Sequence, residues 1–532
     1  MRILIAGYFG KNLVGDDAVL SVILDDMRAD GRFSDLVVTS AHPRETEARY
    51  GVRAVKLDLA CDILSELSSA DGVLIAPAGG INEYAPMLPF ITIDSELPYN
   101  RLCCDLPMQA ALCGKPCIIV GAGVADLQTH EGFNSARRAF DMATAASVRD
   151  CASLDALRGC GAETSAVEVA CDPTWAFTGR TDDRTEVARL TGLDPNIPIL
   201  GLTLRHWDLT PGRLSPDSQA WETELVGGLS AFCSKTGFQL LFVPHQALAT
   251  WIYSDDDAFA ERVGANLSVA KWAIWRQAIT PYGAFQAIAA CNLSLAMRHH
   301  GAILAALAGV PSLALSYSPK VRALYTDIGL GDHVIDMSEL RADRLASELL
   351  ALWDRRTIER GRLAVIRAER ASRHRASVNQ LLKVLATPFN LSLRQETALR
   401  RHFSETWLTS PFDWGRWRSV DVRDLDPTDI GCDSGGVRSL TRAMAYTTVV
   451  DLSAEVRTIS VHITHDAERG FVGLRHVQGE DIASVAVSSS LRGAIARVAV
   501  PRGLATGPYE LFSYFPEPHT LSAFSYRLEQ RK

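Results

Sequence analysis

Short apolar, β-branched runs alternate with longer segments of helical periodicity over about the first 385 residues. A near-continuous apolar run of ~4–8 residues marks a strand buried on both faces, and its alternation with helices marks parallel βαβ construction. The pattern predicts strands at Arg2–Ala6, Leu36–Ser40, Gly72–Ala76, Pro116–Val120, Ala146–Arg149 and Ala166–Ala170. A second series is expected at Pro198–Leu204, Phe238–Val243, Asn292–Met297, Ser312–Tyr317 and His333–Ile335. Between them Thr178–Pro198 is polar, carries Gly179, Gly192 and Pro195, and reads as a linker. The expected fold class is therefore α/β, with two doubly wound domains (residues 1–180 and 195–386) facing each other across a cleft.

Ser338 is expected to cap a helix that runs to about Ala386, before Pro388. It carries Arg355, Arg356, Arg360, Arg362, Arg367, Arg370, Arg373 and Arg375, read as a solvated face with some salt bridges rather than a phosphate site. Beyond Leu391 the period changes to alternation, as in Thr458–His465, Ile482–Ser488 and Ala494–Val500. Residues 392–532 are accordingly expected to form a small β-rich domain, a sandwich, of unassigned role.

Composition narrows the function classes. Among 532 residues, 47% are hydrophobic and 22% charged, and 54 basic against 62 acidic residues give a net charge of −8. This is an ordinary globular composition, and the acidic balance argues against a general nucleic-acid or anionic-membrane binder. The opening MRILIAGYFG is too short an apolar run for a signal peptide, and Pro281, Gly283, Gly309 and Pro311 interrupt the longest uncharged stretches. The 11 cysteines form no CxxC pair and sit mostly in apolar segments, so reduced thiols in the cytoplasm are expected.

The unusual residues fall just after predicted strands, where open α/β sheets bind ligands and helix N-termini present amides to anions. They are GYFGKNLVGDDAVL (7–20), PAGGINEY (77–84), GAGV (121–124), SVRD (147–150), CDPTW (171–175), LRHWD (204–208), VPHQ (243–246), MRHHGA (297–302) and SYSPKV (316–321). Each has a plainer reading: the glycines can serve tight turns, Asp16 and Asp17 can cap a helix starting near Ala18, and Arg149 can pair locally with Asp150. Arg298–His299–His300 is more specific, because it ends an apolar strand and opens a small-residue helix, directing a cation and imidazoles at an anionic ligand. Metal ligation by His299 and His300 is disfavoured, since no carboxylate or third histidine falls at ligand spacing. Cys432–Gly436 looks like a serine-protease nucleophile segment but reads better as a polar turn, and three Asn-Leu-Ser triplets carry no weight in a cytoplasmic chain.

Taken in order, these segments resemble the polysaccharide pyruvyl transferase family over roughly residues 1–385. The most specific piece is AMRHHGAILAALAGVPSLALSYSPKV (296–321), supported by Gly15–Asp16–Asp17, Gly79–Gly80, Ser147–Val148–Arg149–Asp150 with Ser153, and Asp172–Pro173. The resemblance implies two Rossmann-like domains in a GT-B-like arrangement. It implies transfer of the enolpyruvyl carbons of phosphoenolpyruvate onto two sugar hydroxyls, leaving a cyclic ketal and phosphate. It makes His300 the catalytic acid, places Asp16 at the acceptor hydroxyl, and gives Arg149 and Lys320 to phosphoenolpyruvate. Arg298 and Arg205 rank next for charge stabilisation, and Gly79 and Gly80 line the site.

No cofactor or metal is expected; the partners are phosphoenolpyruvate and a saccharide or sugar-linked acceptor, with room for peripheral association with membrane-bound glycan precursors. Leu13, Val14, Ala78, Val124, His299 and Ser318 depart from the family pattern. The alternatives are a GT-B glycosyltransferase using a nucleotide sugar and a non-catalytic saccharide-binding protein.

Overall fold

The computed structural model describes residues 1–57, 60–77, 81–82, 99–127, 130–179, 184–206, 218–246, 255–267, 271–277 and 279–403, and strand segments between 418 and 530. Met1–Ala398 form one compact unit and Leu399–Lys532 a second.

The first unit contains two parallel sheets. In the first, strands β1 (Arg2–Phe9), β2 (Asp35–Ser40), β3 (Arg53–Lys56), β4 (Gly72–Ile75), β5 (Cys117–Ala122), β6 (Ala145–Val148) and β7 (Val167–Val169) lie in the order β3-β2-β1-β4-β5-β6-β7. In the second, β8 (Ile199–Thr203), β9 (Gln239–Phe242), β10 (Trp272–Ile274), β11 (Leu293–Ala296), β12 (Ser312–Ser316) and β13 (Val334–Asp336) lie in the order β10-β9-β8-β11-β12-β13. The central strands are apolar throughout because helices cover both faces: Leu4 and Ala6 face one core, Ile3 and Ile5 the other.

The stretch expected to be a linker is partly helical. Residues Arg184–Thr191 make two turns, with Val187 and Ala188 buried, so its polar composition marks an amphipathic surface helix. The long helix Ala342–Leu385 starts later than expected: Arg341 holds the cap position without a side-chain bond, and Ser338 lies in a 3-10 turn. Its first half packs Leu345, Leu349 and Leu352 on the second sheet's core, and its last turns pack Val378, Leu381, Leu382 and Leu385 on the first sheet. One helix thus ties both halves together. The expected solvated face with salt bridges holds only in part: Arg362 pairs with Glu359, but Arg370 is buried against Asp327, and Arg367 and Arg373 bond the carbonyls of Leu307 and Val169.

The halves also share apolar contacts. Cys171 and Trp175 from the first meet Ala302, Ile303 and Tyr325 from the second. Truncating a Trp as buried as Trp175 costs roughly 3–5 kcal/mol.

In the second unit, Arg418–Val420, Thr520–Gln530, Val456–His465 and Ala494–Ala499 pair antiparallel in that order, with Arg438–Ser439 also on Thr520–Gln530. Asp426–Pro427, Met444–Leu452, Gly507–Phe515, Arg469–His476 and Asp481–Ser488 pair antiparallel in a further sheet. Cys432–Gly436 lies outside the described residues.

Candidate functional site

Both parallel sheets reverse their strand order at one point, between β1 and β4 and between β8 and β11. In open α/β sheets ligands bind at such a point, outside the carboxyl ends of the strands. The helix Val14–Asp30 leaves β1 at this point with Leu13 at its cap and no side-chain cap bond, so neither Asp16 nor Asp17 caps it. Its start is held by the other half instead: the Val14 amide donates to the carbonyl of His245 at 3.1 Å, and Leu13 forms an antiparallel bridge with Gln246.

The two neighbouring carboxylates have different surroundings. Asp17 is tied into the scaffold, 2.8 Å from Arg49 through Oδ2 and accepting the Gly10 amide on Oδ1 at 3.4 Å. Asp16 is 7% exposed, and its Oδ1 is buried with no hydrogen-bond partner among the described residues. Burial pushes the Asp16 carboxyl up to about 7, against the opposing pull of His300 and Lys320. Such a group exchanges a proton near neutral pH.

His300, in the first turn of the helix His299–Leu307, reaches across to the first half. A Cβ on Gly15 would lie 1.9 Å from its Nδ1, so the missing side chain at residue 15 is what admits the imidazole. On its other side Nε2 stands 3.4 Å from Asp172 Oδ2, and His299 Nε2 stands 3.5 Å from the same oxygen. Asp172 itself is fixed, its Oδ1 accepting the Thr174 amide at 3.0 Å as a cap of the turn Pro173–Ala176. Burial opposes its ionisation, yet the adjoining imidazoles of His300 and His299 hold its carboxyl well below the usual range. Burial and the charge of Arg149 push His299 down to about 3, so that ring is neutral.

Arg149, at the end of β6, approaches the same carboxylate, with Nη1 3.8 Å from Asp172 Oδ2. Its Nε is 3.3 Å from Asp150 Oδ2, so the local ion pair is real. Asp150 also caps the helix Cys151–Gly159 through Ser153. A Cβ on Gly123 would strike the guanidinium at 2.5 Å, which explains a glycine after β5.

A second group of cations gathers in the other half. Arg298 donates to Gln246 Oε1 at 3.0 Å and is paired with the buried Asp256, whose Oδ2 accepts the His245 amide at 3.0 Å. Arg205 Nη1 donates to the Tyr317 hydroxyl at 3.3 Å, and Lys320 Nζ stands 5.9 Å from the Tyr317 ring centroid.

Of the residues singled out from sequence, His300 and Arg149 converge on Asp172, while His300 and Lys320 are both close enough to act on the Asp16 carboxyl. Arg298 and Arg205 belong to the neighbouring cation group. Gly79 and Gly80 lie outside the described residues. Sequence reasoning gave no role to Asp172, Tyr317, Gln246 or Asp256. The first three lie in strand-end segments already picked out; Asp256 sits within an acidic run whose capping residue is Asp255.

A sequence model of the polysaccharide pyruvyl transferase family matches residues 14–319, from the start of the Gly-Asp helix to the residue before Lys320. The chain belongs to the polysaccharide pyruvyl transferase family. Solved structures similar to it include Anabaena HepE in complex with UDP, at 14% identity over 76% of this chain and 100% of that one, with a TM-score of 0.45. A UDP-GlcNAc 2-epimerase from Neisseria meningitidis bound to UDP-GlcNAc matches at 12% identity over 72% and 100%, with a TM-score of 0.45. The E. coli ADP-heptose LPS heptosyltransferase II matches at 12% over 67% and 99%, with a TM-score of 0.39. Among the described residues of this family member, no helix is long and apolar enough to cross a membrane.

Proposed function

We propose that this transferase moves the enolpyruvyl group of phosphoenolpyruvate onto two hydroxyls of a sugar in a polysaccharide or glycoconjugate precursor. The observation that carries the reading is the placement of His300 between Gly15 and Asp172, with Asp16 and Arg149 around it. Phosphoenolpyruvate carries a carboxylate and a phosphate, so its recognition calls for guanidinium and ammonium groups, which Arg149, Lys320, Arg298 and Arg205 supply. His300 gives a proton to the enol carbon, making C2 electrophilic. Asp16, whose carboxyl exchanges its proton near pH 7, takes the proton of the attacking hydroxyl. Loss of phosphate and attack by the second hydroxyl close the ketal. Asp172 keeps the His300 ring in place as a positioning residue.

This chemistry needs no resident cofactor. The compartment that suits it is the cytoplasm, where the cysteine thiols of the described residues stay reduced. Incubation with phosphoenolpyruvate and a panel of sugar acceptors should release phosphate and add one pyruvyl group to an acceptor. Consumption of nucleotide sugars instead would identify a glycosyltransferase.

A further inference from the structure

Tyr317 stands directly after β12, where cations from three strand ends meet. Arg205 follows β8, Arg298 follows β11 and Lys320 lies in the first turn of the helix Pro319–Asp327. The Tyr317 hydroxyl accepts from Arg205 Nη1 at 3.3 Å, and the same guanidinium lies 5.1 Å from the ring centroid. Lys320 Nζ lies 5.9 Å from that centroid. Arg298 is paired with the buried Asp256, while Arg205 and Lys320 flank the Tyr317 ring in a half-buried space, where an anion between like charges is favoured. Burial would push the phenol up, but Lys320, Arg205 and Arg298 bring it down to about 7. The phenolate is thus a counter-ion for the Arg205 and Lys320 charges beside it. A second polar group beside it is unspent: Ser318 Oγ is buried without a hydrogen-bond partner among the described residues and makes no cap bond at the start of its helix.

We propose that Tyr317 is the acid that protonates the departing phosphate of the donor, with Arg205, Lys320 and Arg298 holding that phosphate. The inference rests on the pyruvyl-transfer reading above. A bound phosphate dianion takes over the cations, and the phenol then holds its proton. After His300 has protonated C3 and the first sugar oxygen has bonded to C2, the bond between C2 and the phosphate-bearing oxygen breaks. Its electron pair leaves on that oxygen, the phenol proton goes to the same oxygen, and hydrogen phosphate departs. The phenolate left behind takes the proton of the second sugar hydroxyl as that oxygen bonds to C2. The two hydroxyl protons thus balance those delivered to C3 and to phosphate, with Asp16 and His300 exchanging the remainder through solvent.

The test compares full-length wild type with Tyr317→Phe, which removes only the hydroxyl. At pH 8 the wild-type protein should show a tyrosinate absorption band that Tyr317→Phe lacks, and inorganic phosphate should abolish it with proton uptake. In turnover, Tyr317→Phe should lower kcat by about 10²-fold or more with KM for phosphoenolpyruvate changed only a few-fold, whereas Arg205→Ala should mainly raise KM. A kcat within twofold of wild type overturns the acid role, and a band that persists at saturating phosphate overturns the placement of the phosphate. If phosphate abolishes the band in a protein that releases no phosphate from phosphoenolpyruvate with any acceptor, the pyruvyl-transfer reading fails and the leaving-group role with it. If turnover proceeds in both proteins alike, that reading stands and Tyr317 alone is wrongly assigned.

Discussion

The imidazole of His300 occupies the space that a side chain on Gly15 would fill, with Nδ1 1.9 Å from where the Cβ would stand. The two residues come from opposite halves of the first unit and are nearly 300 positions apart in sequence. Gly15→Ala should therefore act at a distance on the imidazole. The ring must swing away, so turnover should fall about 10²-fold while the melting temperature changes little, because the helix gains an alanine. Steady-state rates alongside a thermal melt check this; a fully active Gly15→Ala enzyme would show that His300 does not work from this position.

Asp16 makes a pH prediction with a defined sign. Its folded-state carboxyl is raised from the usual 3.8 to about 7, so ionising it weakens the fold. The penalty is absent below about pH 4, grows towards pH 7 and is complete above, reaching up to about 4 kcal/mol. Asp16→Asn should raise the melting temperature at pH 8, flatten stability between pH 4 and 7, and lose activity. In the wild type the rate should fall as pH drops below about 7, where the carboxyl holds its proton. Melts across the pH range and a rate profile measure both.

Asp172 should behave in the opposite way. Its carboxyl is held well below the usual range, so its contribution to stability is complete above about pH 4 and is lost on further acidification. Asp172→Asn preserves the oxygen that accepts the Thr174 amide but removes the charge beside His299 and His300. The variant should fold, melt lower at pH 7, and lose turnover by on the order of 10²-fold or more through loss of imidazole orientation. Unchanged kinetics would remove Asp172 from the mechanism.

Arg298 is positioned by a buried partner. Asp256→Ala should leave the guanidinium without its ion pair and cost about 3–5 kcal/mol, because one charge then stays buried alone. Gln246→Ala removes only one neutral acceptor and should cost about 1 kcal/mol, with a modest rise in KM for phosphoenolpyruvate. Denaturant titration of the two variants separates these effects.

The parts of the fold legible in the sequence were those buried on both faces. Strands such as Arg2–Phe9 and Leu293–Ala296 read as apolar runs because helices cover each side. Arg53–Lys56 and Trp272–Ile274 escaped notice because they are sheet edges, three or four residues long and only partly buried. The site was legible as a set of strand ends, since topology alone brings such segments together. Roles that depend on contact between distant segments were not. Asp172 matters because His300 comes to it from 128 positions away, and Tyr317 because Arg205 lies 112 positions earlier. Even the pair Asp16 and Asp17, adjacent in sequence, separates into a cleft group and a scaffold group only through Arg49 and Gly10.

The central claim is that His300 delivers a proton to phosphoenolpyruvate. The most direct measurement follows phosphate release from phosphoenolpyruvate in the presence of a sugar acceptor, comparing wild type with a folded His300→Ala variant. Acceptor-dependent release by the wild type and loss of it in His300→Ala, with the melting transition retained, is the expected result. Release at wild-type rate from the folded variant would contradict it.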